Sequence, residues 1–498
     1  MTTLAHRATR ALIWSYLGVG AHIVFQIAAN VGFARLLGPD AFGLFAIGLL
    51  VTGVLKIITD LGLGAAVARA QTLERGALRE AFIRLLACGL LGGVTLAATA
   101  ELIAALMDEP RLAAILRCFA LAFLCFPVVT LCGGVLQQRL EHKKSQFASV
   151  LGYAFGYLGV GLTLATLGFG AWSPALGYMA QLLISAAFLY YFARPDLTRG
   201  ASQTASGAAL TSFGLRVVAT NVSNWLIYNL DNFFVHLTFG TQRYGLYTVS
   251  YSLMRTPTDH LVQTIQNVLM PVASKVQHQD DKLARSYLGA LDASFALCAP
   301  ACATVAAVAP TVIAALYGPD WARATALLSA LSLAMALQAV HAVTSATLWG
   351  IGAINSELRI QWGMVVLLVA ALLAATQLGL SAVAWSVCAV YAIRALLMLA
   401  MVARHLRLTS VRTLRALRTG VLLAVAIAPS VHFFDRMLVG NGVHPLPALL
   451  FDILAGAAFW LIGIAITRGR TFSDELRSAL NTAFASIHRS IPLFRRVS

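Results

Sequence analysis

Charge is scarce in this chain. Only 11% of its 498 residues are charged, and just 20 are acidic, where a soluble domain carries roughly 25% charge. Long polar connections are also missing, which leaves no room for a soluble catalytic domain. No phosphate loop, zinc signature or nucleophile elbow is present. A membrane glycosyltransferase, ligase or polymerase needs carboxylates in longer outer loops. Here the tight acidic pair on the outer side is Asp108–Glu109, which reads as a solvated loop end. The expectation is therefore a protein that is not an enzyme and has no cofactor. The seven cysteines (88, 118, 125, 132, 298, 302 and 388) fall within apolar runs. They form no disulfide framework and no metal spacing. Cys298 and Cys302, one helical turn apart, read as small buried hydrophobes.

What fills the chain instead is apolar sequence: 59% of residues are hydrophobic and the mean hydropathy is +0.79. A bilayer-crossing helix needs about 20 such residues. Runs of that kind lie near 11–34, 41–64, 81–106, 112–136, 147–168, 172–193, 213–238, 244–271, 286–308, 322–350, 358–379, 381–403, 416–435 and 446–467. They are too long and too uniformly apolar for barrel strands. The start, MTTLAHRATR, resembles a signal n-region. The apolar run behind it lacks a clear small-residue cleavage site and reads as a retained first span.

The net charge of +16 could suggest nucleic acid, but its placement argues otherwise. With a cytoplasmic N-terminus, 26 of the 36 lysines and arginines fall on the inner side and six on the outer side. That asymmetry is the positive-inside rule, and it predicts that both termini are cytoplasmic. The excess charge is then topology plus attraction to anionic lipid. Nucleic acid is excluded as a partner.

The chain carries an internal repeat. GPDAFGLFA at 38–46 meets GTQRYGLYT at 240–248, an offset of 202 that also brings Asn30 onto Asn232. LGFGAWSPALGY (167–178) meets LGLSAVAWSVCAVY (378–391) at a similar offset. The predicted architecture is an all-α polytopic membrane protein of about 14 transmembrane helices. Residues 1–200 form one six-helix bundle, 201–212 a cytoplasmic linker and 213–405 a second bundle. Residues 406–467 form an additional helix pair, and 468–498 a cytoplasmic amphipathic tail. Six crossings return the chain to its starting side. The two bundles are therefore parallel repeats around a central cavity, where such proteins place their substrate. Pro257 and Pro271 in the eighth run, and Pro300 and Pro310 in the ninth, are expected kinks.

The informative side chains are ionisable groups within spans, costly in lipid and by default facing a cavity or a partner. Lys56 and Asp60 lie four apart on the second run, and Arg255 and Asp259 four apart on its repeat mate. Arg216 and Asp231 share the seventh run, Asp292 lies on the ninth and Arg394 on the twelfth. Arg216, Arg255 and Lys56 are the candidate receptors for an anionic head group, since a guanidinium bonds two phosphate oxygens at once. Asp231, Asp259, Asp60 and Asp292 are candidate counter-charges, or sites for a coupling proton or sodium. The alternative is that each pair neutralises itself, or that Lys56 snorkels to the inner surface. His22, His236 and His341 read as hydrogen-bonded packing, and Asn30 and Asn232 as interhelical glue.

FARLLGPDAFGLFAIGLLVTGVLKIITDLGLGAAVAR (33–69) resembles the start of the Wzx-type polysaccharide transporters, particularly the WzxC-like branch. The residues that carry the likeness are Arg35, Leu37, Gly38, Pro39, Phe42, Gly43 and Phe45, then Asp60, Gly62 and Ala66. YGLYTVSYSLMRTP (244–257) and LYGPDW (316–321) look like the same branch. The resemblance implies the multidrug/oligosaccharidyl-lipid/polysaccharide exporter superfamily, two bundles about a V-shaped cavity. It also implies movement of undecaprenyl-pyrophosphate-linked oligosaccharide across the bacterial inner membrane, for exopolysaccharide, capsule or O-antigen. Expected partners are that glycan, membrane lipid and polysaccharide-synthesis proteins. Rival readings are a multidrug or organic-cation antiporter, a lipid II flippase, and a non-transporting subunit of an envelope synthesis complex.

Overall fold

The computed structural model describes residues 2–467, except 61, 65–66, 68–74, 140 and 198–204. Side chains of 2–19, 21, 205–221 and a few scattered positions, 263, 271 and 275 among them, are outside the described set. The described residues are helices joined by short turns, with no strand among them. The helices are α1 (Thr2–Asp60), α2 (Arg75–Leu106), α3 (Leu112–Ala120), α4 (Ala122–Gln138) and α5 (His142–Leu151). A π-helix, Gly152–Gly161, continues α5 into α6 (Leu162–Thr166). Then come α7 (Trp172–Ala193), α8 (Ala205–Val276), α9 (Asp280–Ala307), α10 (Ala309–Leu316) and α11 (Thr325–Gly350). The series ends with α12 (Ile354–Ala375), α13 (Leu380–His405), α14 (Ser410–Arg415), α15 (Arg418–Gly440) and α16 (Pro445–Thr467). The backbone of α8 begins at Ala205, inside the stretch expected to link the bundles.

Among the described residues ten helices are long and apolar enough to cross a bilayer, or eleven if α3 and α4, bent by 43°, make one broken span. The chain is a multi-pass membrane protein. The difference from fourteen arises at α1, which counts once, at α8, which is not among the ten, and at the bent α3–α4 pair. The first two apolar runs share α1, and the seventh and eighth share α8. Both long helices are broken by glycine rather than proline. Gly38 has φ 71° and ψ 174°, and Gly240 has φ 79° and ψ 175°, a left-handed region that glycine enters without a Cβ penalty. Pro39 then opens the second arm of α1, where a missing N–H is harmless. These breaks fall on repeat-equivalent residues, so the repeat is present in backbone geometry as well as in sequence. Pro257 and Pro300 lie inside uninterrupted helix. Pro310 sits in the first turn of α10.

The chain divides into two compact units, Met1–Val249 and Ser250–Ser498. In the first, α7 lies along the π-helix and α4, and α2 packs on α3 and α4. Leu85, Leu131, Val135, Ala148 and Leu189 form a core cluster there. In the second, α11 is the most enclosed span, flanked by α9 and α13, while α15 packs along α9. Tyr287, Leu291, Val343, Met398 and Val402 build that core. Helix α16 is bound on one side by α10 and α15, and its remaining surface is apolar and exposed. All seven cysteines are free, with Cys298 and Cys302 buried.

Candidate functional site

The two repeat-related ion pairs have different surroundings. Lys56 and Asp60 lie on the second arm of α1, with Thr59 between them. The Lys56 ammonium sits 4.7 Å from the centroid of the Phe126 ring on α4, a cation–π arrangement. Their recess is closed by Leu85, Gly89, Pro127 and Thr130 and holds only about 10 Å³, about the space of one water. In the second unit, Arg255 donates from Nε to Asp259 Oδ2 at 3.1 Å. These side chains keep 31% and 50% exposure. The Arg255 guanidinium lies 5.4 Å from the Tyr251 ring, and the Tyr251 hydroxyl reaches Tyr391 at 3.5 Å.

The remaining candidates separate. Asp231 is buried and fully engaged. Its Oδ2 accepts the Tyr247 hydroxyl at 2.6 Å, and its Oδ1 accepts the backbone and side-chain N–H groups of Asn232 at 2.9 and 3.1 Å. Asn232 thus bonds within its own helix turn, where interhelical glue was expected. Asp292 is buried on α9. Arg216 lies on α8, its side chain outside the described residues. The tail at 468–498 also lies outside them.

Two polar groupings were not legible beforehand. The first is in the outer connection between α2 and α3. Glu109, expected to be solvated, is only 8% exposed. Its carboxylate accepts from Arg111 Nε at 2.7 Å, Arg111 Nη2 at 2.9 Å and Thr241 Oγ1 at 2.8 Å. Arg111 also donates to Asp40 at 2.8 and 3.2 Å, and His236 Nε2 lies 3.2 Å from the Met107 carbonyl. The solvated reading failed because Thr241 is 132 residues away in the chain. The Arg111 guanidinium holds the Glu109 carboxyl below the usual carboxylate range, while the hydrogen bonds to Glu109 and Asp40 raise Arg111. This clasp ties together the residues just after both glycine breaks. Beside it the two breaks cross: a Cβ on Gly43 would strike the Thr241 carbonyl, and one on Gly245 the Pro39 carbonyl.

The second grouping is a polar core in the other unit. Glu357 accepts from Ser345 at 2.9 and 3.1 Å, Trp349 Nε1 at 2.5 Å and Gln361 at 2.8 Å. Arg394 bonds His341 at 2.8 Å, with both residues buried. His341 is therefore packing, as its sequence setting indicated. Glu357 escaped notice because it sits just before the eleventh apolar run, where a charge looks like a helix-end residue.

No group of three or more metal-ligating side chains occurs among the described residues. The arrangement contains charge pairs, buried hydrogen-bonded carboxylates and a backbone crossing.

Comparison with known proteins fits this picture. Residues 33–326 match the family described as polysaccharide biosynthesis protein. The succinoglycan biosynthesis transport protein ExoT of Rhizobium meliloti (strain 1021) is 24% identical over 332 residues, 67% of each chain. The lipopolysaccharide biosynthesis protein WzxC of Escherichia coli (strain K12) is 22% identical over 311 residues, 62% of this chain and 63% of that one. The chain thus spans about two thirds of the length of these curated relatives. Among solved structures, lipid II flippase MurJ in an inward closed conformation superposes with a TM-score of 0.71 at 12% identity, covering 92% of this chain and 99% of that one. An inward-facing multidrug resistance MATE transporter of the MOP superfamily gives 0.60 at 18% identity, covering 81% and 96%. The fold is that of the MOP-superfamily transporters, and the chain belongs to the polysaccharide biosynthesis protein family.

Proposed function

We propose that this protein flips undecaprenyl-pyrophosphate-linked oligosaccharide repeat units across a bacterial inner membrane by alternating access through a cationic cavity, with both termini cytoplasmic. The observation that carries the reading is the match over 92% of the chain to a lipid II flippase fold, in a member of a polysaccharide biosynthesis family. A pyrophosphate head needs cations that can give up their present partners. Arg255 fits that need best. Its side chain is about one third exposed, and its ion pair with Asp259 lies within one helix. Its guanidinium fork can turn from one carboxylate to two phosphate oxygens. Arg216 and Lys56 supply further positive charge. Asp259, Asp60, Asp231 and Asp292 act as counter-charges or hold a coupling proton or sodium. Polysaccharide-synthesis proteins are the partners that deliver and consume the glycan.

The test is complementation of a bacterium lacking its own transporter of this family, with surface glycan scored at matched membrane abundance. Wild type restores glycan, and Arg255→Ala lowers it at least tenfold. Undiminished glycan with Arg255→Ala refutes the cation assignment. Failure of the wild type in strains supplying several different glycans, together with raised drug resistance, transfers the reading to the multidrug antiporters that share the fold.

A further inference from the structure

A cavity of about 320 Å³ lies in the second unit between α9, α15 and α16. That size suits a small organic ligand. Its wall is almost wholly apolar, with Leu297, Val305, Ile427 and Ile453 among the lining residues. Asp452, Trp460 and Thr304 break that pattern. Asp452 on α16 is only 1% exposed, and its carboxylate is reached by no N–H or hydroxyl of the protein and meets only the Asp435 carboxyl. Trp460 lies two turns further along, its indole N–H already committed to the Ala296 carbonyl at 3.0 Å. Thr304, which brings the hydroxyl of the lining, spends its proton on the Pro300 carbonyl at 2.7 Å. The cavity therefore offers an acceptor, an aromatic ring and hydrocarbon, but no free donor.

A second carboxylate stands behind the first. Asp435 on α15, 4% exposed, interacts with Asp452 and accepts the Thr311 hydroxyl at 2.6 Å. Two buried carboxylates repel, and negative charge on either is costly in a low dielectric. A positive charge placed at Asp452 relieves both costs. No lining residue is basic, so the protein does not supply that charge itself. An anionic head group is disfavoured for the same reason, which sets this cavity apart from the glycan-carrier chemistry proposed above. A tryptophan in the wall favours cations over neutral ligands of equal size.

We infer that this cavity is a binding site for a lipophilic amine, a compact apolar body whose protonated nitrogen docks on Asp452 beside Asp435. The ammonium donates where no N–H of the protein reaches, the indole adds cation attraction, and the apolar body displaces only hydrocarbon. The site is independent of Arg255 and Lys56.

The probe is tritiated 1-adamantylamine, titrated onto the purified full chain in detergent. 1-Adamantanol and 1-adamantanecarboxylate, of the same shape, serve as neutral and anionic competitors. Saturable amine binding is expected, displaced at least tenfold more weakly by the alcohol and not at all by the carboxylate. Asp452→Asn should weaken it at least tenfold. Gly456→Leu should do the same by filling the cavity: a Cβ there finds no atom closer than Thr304 at 3.7 Å, so there is room to grow inward. If Asp452→Asn fails to fold, the Gly456 variant and the competitor series still decide. No saturable binding, equal displacement by the alcohol, or full binding in a folded Asp452→Asn or Gly456→Leu protein overturns the inference.

Discussion

The second arm of α1 and the stretch of α8 that follows Gly240 descend from one repeat and preserve its backbone. Each begins at a glycine of nearly identical φ and ψ. Each carries a cation and a carboxylate four residues apart, on one helical face. Their side-chain environments nevertheless differ. Lys56, half-buried, lies against an aromatic ring beside a recess with room for about one water. Arg255 keeps a third of its surface open. Helix geometry is set by the break and is shared. The neighbours of a charge are set by what packs beside it: Phe126, Pro127 and Leu85 at Lys56, and Tyr251 at Arg255. Repeat position alone therefore does not assign function.

The comparison breaks most severely at the crossing of the two glycine breaks. Gly245→Val drives a branched side chain into the Pro39 carbonyl, and no rotamer change moves a backbone oxygen. The expected outcome is loss of most of the folded protein by size-exclusion chromatography. Gly363→Ala, with nothing within 4 Å of the new atom, should change the profile little.

The contrast between the ion pairs sharpens next. If enclosure decides, Lys56→Ala lowers glycan export no more than about threefold, whereas Arg255→Ala lowers it at least tenfold. A tenfold difference corresponds to about 1.4 kcal/mol. Lys56→Met, which keeps the stem but not the charge, should lower export no more than Lys56→Ala does. Equal losses at both positions would mean that the recess around Lys56 opens during transport.

The smallest effect concerns acid. Glu109 has its folded pKa depressed by Arg111. Its contribution to stability is therefore complete above the unfolded carboxylate value of about 4.3 and is lost as pH falls through the lower folded value. Thermal unfolding in detergent should show the wild type losing its advantage over Glu109→Gln below about pH 4.3, with the gap constant from there to neutrality. A gap that persists to low pH would show that the clasp does not depend on the carboxylate's charge.

Much of the architecture was legible because lipid enforces it: apolar runs must be long, and loop charge must segregate. The glycine breaks were visible as repeat landmarks in GPDAFG and GTQRYG, but not as breaks. Proline drew attention because it lacks an N–H, yet the helix runs on through Pro257 and Pro300. Pairs four residues apart, such as Arg255–Asp259, can be read from spacing alone. Glu109–Thr241 and Arg394–His341 cannot, since they join residues 132 and 53 positions apart. Asp452 was hidden in another way: one carboxylate in a strongly apolar run barely moves its average, although its cost in lipid is undiminished.

Helix α16 has the bilayer as its main packing partner. Its apolar span, Pro445–Ile466, is 22 residues long, about 33 Å at 1.5 Å per residue, against a hydrocarbon thickness near 30 Å. A helix held more by lipid than by protein answers membrane thickness by tilting. Because α16 supplies the wall that bears Asp452, the width of that cavity becomes a property of the host membrane as much as of the chain, and reconstitution into short-chain or long-chain lipids would tune it without a mutation.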